Sequence, residues 1–186
     1  LAHALSHPKF CGIRCNIEAE ANAPRSDFLR GIDVLTGSDL AFDLLIRPSQ
    51  LPLARTLVES APHQRFILDH LAKPPIADRC LETWATEIRD LAAYPNVACK
   101  VSGMVTEADH HDWKPSDFQP YIDVVLEAFG PERLLFGSDW PVCRQAATYK
   151  QVITVVEDNI ASHSQMEQSA ILGENTIRWY HLPTED

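Results

Sequence analysis

Five short apolar runs, each broken by only one or two charges, punctuate this chain: "FCGIRCN" (10–16), "AFDLLI" (41–46), "RFILDHL" (65–71), "VACKVSGM" (97–104) and "LLFGSD" (134–139). Most are close to continuously apolar rather than alternating, the pattern of strands covered on both faces of a parallel sheet. Helical patterns separate them. Phe28, Ile32 and Leu35 recur at helix spacing with Gly37 as a C-cap, and Ser49 is placed to cap a helix carrying Leu53, Leu57 and Val58. Trp84, Ile88 and Leu91 form a third stripe that ends near Pro95. Tyr121, Val124, Val125 and Phe129 form a fourth, stopped by Gly130-Pro131, and Val152, Ile153, Val156 and Ile160 a fifth. "SQME" (164–167) matches a capping box ahead of Ile171-Leu172, and a last helical turn from Asn175 is expected to pack Ile177, Trp179 and Tyr180.

A strand followed by a helix, repeated five times at about 25 to 35 residues, has the size of βαβ units. The α/β class follows, as an open doubly wound sheet or as part of a (β/α)₈ barrel. No G-x-G-x-x-G follows the first strand and no G-x-x-x-x-G-K-[ST] occurs, so nucleotide binding loses its main support. In either architecture a functional site lies at the carboxyl ends of the strands.

Charge narrows the partners. A formal net charge of −10 argues against nucleic acid and against an anionic membrane, which both need a basic footprint. No apolar stretch approaches the roughly 20 residues of a membrane span. The opening "LAHALSHPKF" lacks the basic start of a signal peptide. The five cysteines, Cys11, Cys15, Cys80, Cys99 and Cys143, are odd in number and contain no CxxC pair. Cys11 and Cys15 share a strand face and read as small buried residues. The expectation is a reduced, cytoplasmic protein, and the charge says nothing about a small-molecule substrate.

Polar residues end every strand-like run: Arg14 and Asn16, Arg47, Asp69-His70, Ser102, and Ser138-Asp139. Period-2 geometry puts His70 on the face of Leu68 and Phe66, with Asp69 pointing the other way. There His70 reads equally as a satisfied core-edge histidine or as a ligand, acid or electrophile. Asp139 is a helix cap or a displayed carboxylate. Trp140-Pro141 disfavours immediate helix entry, so the chain is expected to extend past Asp139 before turning. Gly137 leaves room for close approach. Lys100, on the face of Ala98 and Ser102, either enters the interior or pairs with an acid. His110-His111, in the polar loop "TEADHHD", reads as solvated, with an improvised metal site as the alternative.

"RFILDHLAKP" (65–74), "CKVSGMVTEADHHDW" (99–113), "FGPERLLFGSDWPVC" (129–143) and "ILGENTIRWYHL" (171–182) resemble the amidohydrolase-2 branch of the amidohydrolase superfamily, and "HPKFCGIR" (7–14) is similar to its segment before the middle strands. Within that branch they look most like sugar-lactone hydrolases of the L-fuconolactonase and L-rhamnonolactonase type, with 2-pyrone-4,6-dicarboxylate lactonases more distant. The resemblance implies a (β/α)₈ TIM-barrel-type fold in which the five runs are strands four to eight. Asp139 then takes the position of the catalytic aspartate ending the last strand, and His70 that of the mid-barrel histidine. The family's His-x-His pair has no counterpart; His3 and His7 are four apart. Residues 1–186 therefore read as a single partial barrel domain lacking about three βα units. The implied chemistry is the opening of an aldono lactone. Asp139 would be the general base, and His70 would polarise the carbonyl, stabilise the oxyanion or ligate a metal. Arg14 is expected to bind substrate oxygens or to pair with a neighbouring strand-end acid, and Trp140 and Trp113 to form walls for a sugar ring. The cofactor is none, or one divalent ion of zinc type on His70 and Asp139. Two rivals remain: a zinc-dependent decarboxylase of the same superfamily, and an inactive or interaction-only half-barrel whose open edges favour self-association.

Overall fold

The computed structural model describes residues 2–7, 9–16 and 26–183, and the side chains of Asn16 and Phe28 lie outside what is described. Its sheet consists of β1 (Gly12–Asn16), β2 (Ala41–Leu45), β3 (Phe66–Leu68), β4 (Val97–Val101) and β5 (Leu134–Phe136). All pairs are parallel, and the spatial order is β1-β2-β3-β4-β5. That order decides between the two architectures. A doubly wound sheet reverses its strand order at a switch point, whereas consecutive strands are neighbours throughout a (β/α)₈ barrel. The chain is a five-stranded segment of such a barrel.

The helices are α1 (Ala2–Leu5), α2 (Ser26–Gly37), α3 (Leu51–Ser60), α4 (Glu82–Ala92), α5 (Pro115–Phe129), α6 (Tyr149–Ile160), α7 (Gln165–Ser169) and α8 (Asn175–Tyr180). Helices α3 to α6 pack each on the next. Phe42, Leu44, Phe66, Leu68, Val97, Cys99, Val101 and Leu134 point from the strands toward these helices and share one core with Leu57, Ile88, Val125 and Val156. Alternate residues Ala41, Ile67, Ala98 and Leu135 form a separate cluster on the opposite, barrel-inner face, covered by Trp179 and Tyr180 of α8. Both faces are buried, which explains why the runs lack alternation.

Local chemistry accounts for most boundaries and corrects some. Ser164 and Glu167 form the expected reciprocal cap of α7, and one π-helical turn (Ala170–Glu174) joins it to α8. Buried Asn175 donates from Nδ2 to the carbonyls of Pro131 (2.7 Å) and Leu134 (2.8 Å), fixing α8 beneath β5. Trp179 and Tyr180 turn inward as expected, but Ile177 stays 39% exposed. Ser49 does not cap α3: it lies inside a 3₁₀ turn, Pro48–Gln50, and Gln50 is the capping residue. Arg133 satisfies helix ends at the other side of the sheet. Its guanidinium donates to Phe129 O at the end of α5 (3.1 Å), to Ala92 O at the end of α4 (2.9 Å), and to Val97 O (3.1 Å).

Candidate active site

Strands β3 and β5 stop three residues short of the ends of their apolar runs, and left-handed residues follow in both. After Leu68 the chain enters a 3₁₀ turn, and His70, Leu71, Ala72 and Lys73 take φ of 54°, 52°, 58° and 54°. Four consecutive non-glycine residues in the left-handed region cost about 1–2 kcal/mol each. Surrounding contacts hold the turn. Leu71 and Ala72 are fully buried, Trp84 Nε1 donates to Leu71 O (2.8 Å), and Lys73 pairs with Glu107 (3.0 Å). Strain of this kind persists where the surroundings over-determine it, commonly at functional sites.

The turn changes where His70 points. Asp69 faces the inner side, as period-2 geometry requires, but the left-handed backbone at His70 breaks the alternation and swings the imidazole away from the Leu68–Phe66 face. His70 Nδ1 lies 2.8 Å from Ser102 Oγ, and Nε2 lies 3.6 Å from Asp139 Oδ1. Asp139 is itself left-handed (φ 54°), and Cys143 N–H donates back to its carbonyl (2.9 Å). The chain thus turns at Asp139 instead of extending past it. The restriction before a proline falls on Trp140, one residue later, where the Trp140–Pro141 peptide is cis.

Two glycines let the strand ends close on this pair. A Cβ at Gly103 (φ 63°) would lie 2.8–2.9 Å from the His70 ring, and one at Gly137 would lie 3.1 Å from Ser102 Cβ. Gly103→Ala is therefore expected to push the imidazole off Asp139. A reaction carried by the His70–Asp139 pair is expected to slow about 100-fold, the scale of a roughly 1 Å misplacement. A stability loss of about 1–2 kcal/mol should accompany it, from alanine in a left-handed position. Steady-state kinetics beside urea unfolding checks both.

Directly beneath, on the inner face, lies a buried ionic cluster. Lys100 Nζ is 2.6 Å from Asp43 Oδ2 and 2.7 Å from Asp69 Oδ1, Tyr180 donates its hydroxyl to Asp43 Oδ1 (2.6 Å), and Arg14 approaches Asp69 Oδ2 at 3.5 Å. Burial alone would lower the pKa of the Lys100 ammonium, but the two carboxylates more than offset it and hold it above its ordinary value. Burial pushes Asp43 up, assisted by the negative Asp69 and opposed by Lys100. Burial also holds the His70 imidazole below its ordinary range, against the pull of Asp139 and Asp69.

The expected site residues divide accordingly. His70 and Asp139 converge. Arg14 sits on the inner face with its side chain 54% exposed, loosely paired to Asp69. Trp140, beside Asp139, is 66% exposed at the rim. Trp113 is not brought to the pair by any contact: its ring packs against Phe118 and its indole N–H donates to Ala146 O (2.9 Å). The exposed His110 and His111 line a different cleft, with Trp113 and Lys150. Ser102 was legible only as a polar strand end, and the Asp43–Lys100–Asp69 cluster only as charges inside apolar runs. Tyr180 as a partner of Asp43, 137 positions away, carried no local signal.

The amidohydrolase family model, Amidohydro_2, matches residues 1–182. The chain belongs to the amidohydrolase family. This amidohydrolase is 39% identical over 94% of its length to an L-fucono-1,5-lactonase of Burkholderia multivorans, and 40% identical over 80% to one of Burkholderia ambifaria. It spans 64% and 52% of the lengths of these two relatives. A crystal structure of an amidohydrolase from Burkholderia multivorans with bound zinc superposes on 98% of the chain and 69% of its own, with a TM-score of 0.92 and 38% identity.

The zinc in that relative raises the question of what this chain's own residues would offer a metal. His70 Nε2 and Asp139 Oδ1 converge as two suitable donors. Among the described residues no group of three or more His, Cys, Asp or Glu side chains is arranged to hold an ion, while a catalytic zinc takes three protein ligands. The described residues therefore do not by themselves complete a zinc site. No helix among them is long and apolar enough to cross a membrane.

Proposed function

We propose that this amidohydrolase opens a sugar lactone, an aldono-1,5-lactone, with water, and that the paired His70 and Asp139 do the chemistry. The observation that carries the reading is the convergence of an imidazole and a carboxylate, 3.6 Å apart, at the carboxyl ends of β3 and β5. Kinship with two L-fucono-1,5-lactonases supports lactone opening over decarboxylation and makes L-fucono-1,5-lactone the first substrate to try.

In this reading Asp139 takes a proton from the attacking water as general base and later delivers it to the ring oxygen as that oxygen leaves. His70 faces the carbonyl oxygen and stabilises the charge that develops there. Arg14 binds substrate oxygens with a planar fork of donors, which its loose, rim-exposed pairing with Asp69 leaves available. Of the two tryptophans, Trp140 has the open face against which a sugar ring can lie. A divalent ion, where additional donors join His70 and Asp139, would supply Lewis-acid polarisation of the carbonyl. All five cysteines are free, which supports a reducing, cytoplasmic setting. Among the described residues β1 and β5 are the edge strands, where further strands or a second copy would add.

The test is a pH-indicator assay on a panel of aldono-1,5-lactones and aldono-1,4-lactones, with and without chelator, beside decarboxylation assays on aromatic acids. Hydrolysis of a 1,5-lactone above the spontaneous rate supports the reading. Decarboxylation without lactone hydrolysis would overturn it.

A further inference from the structure

We infer that the inner-face cluster of Asp43, Lys100, Asp69 and Arg14 is a charge filter, which admits a neutral lactone and turns away the carboxylate that ring opening creates. The inference deepens the proposed lactone opening and rests on it. Water adds across the ring ester to give a hydroxy acid, and at neutral pH that acid gives up a proton. A neutral substrate thus becomes an anionic product in the same site. How the new charge is received depends on the ionic groups beneath it.

Two carboxylates and two cations meet there, and the contacts are unequally shared. An ammonium has three donors. Lys100 Nζ lies 2.6 Å from Asp43 Oδ2, 2.7 Å from Asp69 Oδ1 and 5.3 Å from the centre of the Tyr180 ring. It is committed on three sides and neutralises one of the two acids. The second negative charge falls to Arg14. Its guanidinium stands 3.5 Å from Asp69 Oδ2, an oxygen that is buried and makes no hydrogen bond among the described residues. Arg14 also stands in register with Asp43 across β1 and β2, so both acids flank it. Arg14 therefore keeps its donors while its charge is already answered. Hydroxyl and ester oxygens need only the donors. A carboxylate needs uncompensated positive charge, and here it would share Arg14 with two acids that are held in place. Asp43 accepts the Tyr180 hydroxyl (2.6 Å), and Asp69 is fully buried. Like charges set against the wrong ligand give selectivity without a steric clash. Lactones that carry a carboxylate of their own are turned away on the same ground.

The experiment measures, by calorimetry at pH 7, binding of two probes, L-fuconate and its neutral amide, to the wild type, to Asp43→Asn and to Arg14→Gln, with lactone hydrolysis followed alongside. The ratio of the two dissociation constants cancels anything, a bound metal ion included, that acts equally in the three proteins. In the wild type the amide is expected to bind more tightly than the acid. Asp43→Asn removes one negative charge, still accepts from Tyr180 and leaves Lys100 to Asp69. The ratio should then move toward the acid by about 10- to 30-fold, the effect of one unit charge at roughly 8–12 Å in an effective dielectric of about 20. Arg14→Gln keeps both acids and removes their counter-charge, so the ratio should move the other way. Its half-exposed side chain makes this arm safe for folding even where Asp43→Asn is unstable. A role in folding alone would weaken both probes together and leave the ratio unchanged. The inference is overturned if the wild type binds the acid as tightly as the amide, if neither probe binds, or if either variant leaves the ratio where it was. If no lactone is hydrolysed while the ratios shift as stated, the functional reading fails alone. If lactones are hydrolysed while the ratios stay equal, this inference fails alone.

Discussion

Lys100→Met is expected to destabilise the protein by about 3–5 kcal/mol at neutral pH, the cost of removing one member of a buried ion pair and leaving its partners charged. Methionine matches the aliphatic length of lysine, so the loss is electrostatic rather than a cavity. Asp43 and the fully buried Asp69 would then face each other with only the half-exposed Arg14, 3.5 Å from Asp69, as counter-charge. Such a loss is a large fraction of the roughly 5–15 kcal/mol that holds a domain folded. Its pH dependence has a definite sign. In the wild type, the raised Lys100 pKa contributes stability that is complete below the unfolded value near 10.4 and is lost as pH climbs through the folded value. In the variant the folded pKa of Asp43, raised even with Lys100 present, lies still further above its unfolded value. The penalty is therefore full at neutral pH and shrinks as acid protonates Asp43. Urea unfolding from pH 7 down through the carboxyl range, with Lys100→Met and with Lys100→Met/Asp69→Asn, measures this. A deficit below about 1 kcal/mol, the scale of an exposed pair, that does not change with pH would contradict the cluster as described.

Asp139→Asn carries the largest expected effect on activity. The amide is nearly the same shape as the carboxylate but cannot take a proton, so general-base assistance is lost while contacts that seat the residue remain. A fall in kcat of about 10²–10⁴ is expected, with KM and folding stability close to the wild type. Asp139 is linked to the rest of the site chiefly through His70, and the Asp139 carbonyl, not its carboxyl, accepts the hydrogen bond that shapes the following turn. Retention of full activity by Asp139→Asn, with His70→Ala inactive, would move the base to another group.

The fold was more legible in the residues than the site was. Near-continuous apolar runs such as "VACKV" and helical stripes such as Trp84–Ile88–Leu91 reflect burial on both faces of a parallel sheet, a long-range condition that leaves a local imprint. The strand order could not be read this way, because a βαβ unit looks the same in a barrel and in an open sheet; pairing of β1 through β5 in sequence resolved it. Motif resemblance singled out His70 and Asp139 as a pair, yet period-2 reasoning aimed His70 at the core. That reasoning assumes extended backbone. The left-handed turn from His70 to Lys73 lies in conformations that sequence propensity does not favour, and it is held by partners remote in sequence, such as Trp84 and Glu107. Lys100 illustrates the same limit: a charge in a buried strand announces a partner without naming it, and two partners, Asp43 and Asp69, came from different strands.

The most direct test of the account is the initial rate of proton release from L-fucono-1,5-lactone, followed with a pH indicator at neutral pH in weak buffer, for the protein beside its Asp139→Asn variant. The account predicts saturable release well above the spontaneous rate with the native carboxylate, and release near the spontaneous rate without it. Equal release from the two proteins, or none above background across the aldono-1,5-lactones, would contradict it.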